Sequence, residues 1–94
     1  MYLSYEQKRK IFNSFLELAE VISPNGRISY LFEGSNRRKK QIARELSYTG
    51  NGYIFGDYLD YCVYPIDPRG WINIRDFSEQ DLRTLIEKVI ESFI

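Results

Sequence analysis

The chain has 94 residues, enough for one domain built around a single core, and residues 1–94 read as that one domain. Apolar residues are 44% and charged residues 28%, which excludes a disordered chain, and 13 basic against 13 acidic residues exclude a uniformly basic or acidic polyelectrolyte. The single Cys62 excludes an internal disulfide and makes a reducing, cytoplasmic location the expectation; MYLSYEQKRK lacks the apolar stretch of a secretory signal, and no apolar run approaches the ~20 residues of a membrane span.

The first predicted element is a helix beginning at Ser4. Ser4-x-x-Gln7 has the form of a capping box, in which the hydroxyl accepts a free backbone N–H and the glutamine reaches back. Ile11, Phe12, Phe15, Leu18, Ala19 and Ile22 then fall at helical spacing, so the helix is expected to run to Ile22 and to stop at Ser23-Pro24-Asn25-Gly26. Arg27 to Phe32 follows as a strand, with Ile28, Tyr30 and Phe32 on one face.

Residues 37–47, RRKKQIARELS, read as a helix by composition, capped by Ser35 or Asn36. Four cations at the start oppose the helix dipole, and a period-two reading would instead place Ile42, Arg44, Leu46 and Tyr48 on one face of a strand.

Gly50 to Arg75 is rich in Tyr, Ile, Val and Phe and reads as a three-stranded meander. Gly56-Asp57 fits a type II′ hairpin turn and Asp67-Pro68-Arg69-Gly70 a type I turn. That register puts Ile54, Leu59, Tyr61, Val63, Ile72 and Ile74 on a core face. Tyr53, Phe55, Tyr58, Asp60, Cys62, Tyr64, Trp71, Asn73 and Arg75 fall on the other. The last helix starts at Ser78, with Phe77 and Leu82 as a staple and Leu82, Leu85, Ile86, Val89, Ile90 and Phe93 as one apolar stripe. The expected class is α+β: an antiparallel β-meander of three to four strands packed against N- and C-terminal amphipathic helices, in the order α-β-(α)-β-β-β-α.

Catalysis is not expected. The chain has no histidine, which removes the commonest general base and metal ligand, and it has no phosphate-binding loop motif. No cofactor or metal is implied, and Cys62 reads as a small packed residue. Two surfaces remain as candidates. The aromatic sheet face offers Tyr53, Phe55, Tyr58, Tyr64, Trp71 and Arg75, the residue types that anchor interfaces. The basic segment offers Arg37, Arg38, Lys39, Lys40 and Arg44 to phosphates. Gln41 to Leu46 also resembles the first helix of a helix-turn-helix over about a dozen residues. The second helix that motif requires falls on Gly50-Asn51-Gly52 and Tyr53–Gly56, which is strand sequence.

Charge is uneven along the chain: residues 1–56 hold nine bases and five acids, residues 57–94 four bases and eight acids. Such polarity favours association. The functional expectation is a small non-enzymatic protein-interaction module that self-associates through its aromatic face as a homo-oligomer. The alternative is a nucleic-acid-binding accessory protein that uses residues 37–44.

Overall fold

The computed structural model describes residues 3–94. Ser4 caps α1 (Tyr5–Asn13), and both bonds of the capping box form: Ser4 Oγ accepts from the Gln7 N–H, and the Ser4 N–H donates to Gln7 Oε1. The helix then ends far short of Ile22. Ser14 Oγ donates back to the Ile11 carbonyl, and Leu18–Ile22 forms strand β1. The helical spacing from Ile11 to Ile22 is overridden, and β-branched Val21 and Ile22 suit the strand. Ser23-Pro24-Asn25-Gly26 is therefore a hairpin turn and not a helix stop. The Ser23 N–H donates to the Arg27 carbonyl, and Gly26 takes φ +84°.

Strand β2 (Ile28–Phe32) forms as expected, with Ile28, Tyr30 and Phe32 buried. The basic segment is a strand in its second half: β3 spans Gln41–Leu46, so neither the 37–47 helix nor the helix-turn-helix exists. Two irregularities shape β3. Its register against β2 shifts between Ile28 and Tyr30 and again between Tyr30 and Leu31. Glu45, in the first of these, takes φ +62°, the conformation of a bulge residue. The bulge breaks simple alternation, so Leu46 turns inward while Arg44 turns outward, where a regular strand would have put them on one face.

Strands β4 (Tyr53–Phe55) and β5 (Trp71–Asn73) pair directly, Phe55 opposite Trp71. This overturns the register built on Gly56-Asp57. There is no strand over residues 58–64, and Gly56 does not take positive φ. It is small for a different reason: a Cβ there would lie 2.4 Å from Ile72 Cδ1. Tyr61 and Val63, expected in the core, are 77% and 68% exposed, and Leu59 is half-buried. The Asp67–Gly70 turn does form. Asp67 Oδ1 accepts from the Arg69 and Trp71 N–H groups, and Gly70 takes φ +93°.

The sheet has five antiparallel strands in the order β1-β2-β3-β4-β5, one more than the longest meander expected from the sequence. Paired residues share a face, so one row runs Glu20–Tyr30–Ala43–Ile54–Ile72 across all five strands. Helix α1 lies on this face, with Phe12 stacked on Tyr30 at 4.4 Å between ring centroids. Helix α2 (Glu79–Ser92) packs beside α1, and its stripe from Leu82 to Phe93 is buried in the same core, as its spacing predicts. The later part of the loop 56–70 folds to the helix side as well: Tyr64 packs on Phe77 at 4.5 Å, and Leu59 and residues 61–64 border a crevice with Thr84, Leu85 and Lys88 of α2. The fold is α+β with both helices on one side of the sheet. No helix among the described residues is long and apolar enough to cross a membrane.

Candidate interaction face

The strand register assigns the other side of the sheet to Ala19 and Val21 of β1, Ser29 and Leu31 of β2, Gln41 and Arg44 of β3, Tyr53 and Phe55 of β4, and Trp71 and Asn73 of β5. No helix among the described residues lies across it. Its aromatic part is covered by the basic segment, by Tyr58 of the 56–70 loop, whose ring lies 5.1 Å from that of Phe55, and by Phe93 at the end of α2, 6.2 Å from the same ring. Lys39 Nζ sits 4.5 Å from the Phe55 ring centroid and 4.9 Å from that of Trp71, and the Arg44 guanidinium carbon is 4.4 Å from the Trp71 centroid. A cation over an aromatic face is attracted by the ring quadrupole, most strongly over tryptophan. The two rings meet edge to face at 5.1 Å and are only 8% and 5% exposed. They are a floor under cations and not an open apolar patch.

The two surfaces that the sequence offered separately therefore merge. Lys39 and Arg44 from the basic segment lie on Phe55 and Trp71 from the aromatic face, beside half-buried Tyr53, which pairs with Arg44 across β3 and β4. The remaining candidates disperse. Arg37 stacks on Tyr58 at 4.1 Å and donates to the Ser92 carbonyl at the end of α2. Tyr58 packs edge-on against Phe55 and Phe93. Lys40 Nζ donates to the Ser35 carbonyl, and Arg38 and Arg75 are exposed. Tyr64 lies on the helix side with Phe77, where burial raises its pKa.

The electrostatics of the face are one-sided. Ion pairs among the described residues join Arg9 to Glu20, Arg27 to Glu45 and Arg83 to Glu79, and none takes in residues 37–44. Arg44 Nε is shut off from solvent without an acceptor. Burial, and then the neighbouring Arg44 charge, hold the Lys39 pKa below the usual lysine value. Each cation is thus partly desolvated and uncompensated by a carboxylate. No cluster of three metal-ligating side chains occurs among the described residues. Sequence reasoning missed the contact of loop on sheet because it took 37–47 as a helix. The legible signal was the period-two reading of Gln41–Leu46. A cleft at the opposite end of β3 is bordered by Tyr5, Arg27, Tyr48, Asn51 and Tyr53.

Comparison with protein-family models, with curated proteins and with solved structures gives no match.

Proposed function

We propose that this protein is a non-enzymatic interaction module that docks an acidic protein segment on the uncovered face of its sheet. The observation that supports the reading is the pair Lys39 and Arg44, held on Phe55 and Trp71 without a carboxylate partner. A sheet face with no helix over it gives a flat docking surface, half-exposed Tyr53 adds a large contact at low entropic cost, and the cations select for negative charge. Self-association through this same face is less favourable on physical grounds: a two-fold contact would bring the cations of one copy towards those of the other. The measurement is binding to a glutamate-rich peptide by anisotropy at low salt. The Arg44→Glu variant should lose binding and the Lys88→Glu variant on α2 should keep it; equal binding by both variants would contradict the reading.

A second reading is binding of single-stranded nucleic acid, and the merging of basic and aromatic residues on one antiparallel sheet favours it. The burial of Phe55 and Trp71 counts against it, because bases cannot stack on rings already covered by cations. A salt titration against single-stranded DNA and RNA decides it; no binding at low salt ends this reading.

A further inference from the structure

The position of Lys39 and Arg44 raises a more specific question than which partner the face takes. Both cations lie over the same indole, so their separation is bounded by the sum of their two distances to it. They come from different elements, Lys39 from the loop ahead of β3 and Arg44 from the strand itself. Two like charges held together repel, and here burial removes part of the water that would screen them. The protein offers no counter-ion: residues 37–44 form none of the ion pairs found among the described residues. The Arg44 guanidinium carbon lies 4.4 Å from the Trp71 ring centroid and its Nε is buried without an acceptor, whereas its Nη atoms are not among the buried unpaired ones and are open to a ligand. A guanidinium fork on a rigid strand and a movable ammonium on a loop are the complementary donors that a single oxyanion accepts from, directly or through one water.

We infer that Lys39 and Arg44 form a subsite for one oxyanion, a carboxylate or a phosphate group, seated above Trp71. The subsite rests on the reading of this face as a surface for an anionic partner and names the group on that partner that it grips. An oxyanion between the two cations relieves their repulsion and supplies the acceptors the protein lacks. Arg37 does not belong to it, because its Nε is bonded to the Ser92 carbonyl and its guanidinium lies on Tyr58. Lys40 is tied to the Ser35 carbonyl.

Trp71 is the only tryptophan and forms the floor of the subsite, so its fluorescence reports occupancy. The test is a titration of the whole chain with inorganic phosphate, and separately with a tetraglutamate peptide, at ionic strength held constant with chloride. The expected result is a saturable change in Trp71 emission with at least one probe. Lys39→Gln and Arg44→Gln should each weaken it by about tenfold, the loss of one charge-assisted hydrogen bond. Lys10→Gln, on the exposed side of α1, should leave it unchanged. Lys39 is in a loop, so its variant remains informative if the Arg44 variant folds poorly. The preferred probe identifies the source of the oxyanion. No saturable change with either probe, or a change that survives both Lys39→Gln and Arg44→Gln, overturns the subsite. Phosphate binding without binding of glutamate-rich peptide contradicts the acidic-protein reading and leaves the subsite standing. Binding of long acidic peptide without a response from Trp71 does the reverse.

Discussion

Glu20 is the residue on which the N-terminal half turns. Its carboxylate accepts from Arg9 Nε at 2.9 Å and Nη2 at 2.8 Å, from Asn13 Nδ2 at 2.9 Å and from the Tyr30 hydroxyl at 2.8 Å. It thereby ties α1 to β1 and β2 beneath the Phe12–Tyr30 stack. The hydrogen bond from Arg9 leads the causes that hold its pKa at about 2 against an ordinary 4.5. A carboxylate whose pKa is lower in the folded state stabilises the fold at pH values above its ordinary pKa. That contribution is lost as pH falls from 4.5 towards about 2. Glu20→Gln should cost about 1–3 kcal/mol at neutral pH and flatten the acid limb of a plot of stability against pH. Urea melts across that range check it; an unchanged acid limb in the variant would contradict the role given to Glu20. Lys8 is the second such tie. It is fully buried, and its Nζ donates to the carbonyls of Gly50 at 2.6 Å and Arg75 at 2.9 Å, which pins α1 to the ends of β4 and β5. Lys8→Met keeps the aliphatic volume and orphans both carbonyls, and should lower the unfolding free energy by about 1–3 kcal/mol in a urea melt.

At the scale of elements, the turn that joins the 56–70 loop to β5 carries two constraints on one residue. Gly70 has φ +93°, and a Cβ there would lie 2.8 Å from both Phe55 Cε1 and Asp57 Cβ. Gly70→Ala should therefore destabilise by more than about 1 kcal/mol, and thermal unfolding should show it. The same side chain would push Phe55 out from under Lys39, so the variant should also weaken peptide binding. Elements were legible wherever one pattern admitted a single period. The α2 stripe and both serine caps were of that kind, as was the alternation in β2. The misread elements each had a local pattern that a distant contact decided. Ile11 to Ile22 carries helical spacing, yet the helix ends at Asn13 and Glu20 of β1 reaches Arg9 and Tyr30. Gly56 looks like a hairpin glycine, but the close approach of Ile72 is what requires it, a contact sixteen residues away in the chain. In β3 the bulge at Glu45 reverses the expected side of Arg44 relative to Leu46, and no composition rule announces a bulge at a glutamate. Of the candidate site, the residue types were legible and their partnership was not, because stacking of 39 and 44 on 55 and 71 requires the 37–47 segment to be loop and strand.

The whole molecule is a two-layer structure, with helices α1 and α2 on one side of a five-stranded sheet, and with Lys39 and Arg44 on the aromatic floor of the other, where Tyr58 and Phe93 close one edge against Phe55. A layer of helices needs one apolar sheet face, and the row from Tyr30 to Ile72 supplies it. On the opposite face Phe55 and Trp71 join the core, and the cations over them have no carboxylate partner in a chain whose net charge is zero. On the proposed reading a partner docks on this face, and negative charge is what the face selects. The most direct measurement is amide chemical-shift mapping of the whole chain during titration with a glutamate-rich peptide at low salt. Shifts should concentrate at Lys39, Arg44, Tyr53, Phe55, Trp71 and Asn73 and fade as salt is raised. Shifts concentrated on the outer side of α2, or shifts at the sheet face that salt does not reduce, would contradict that reading.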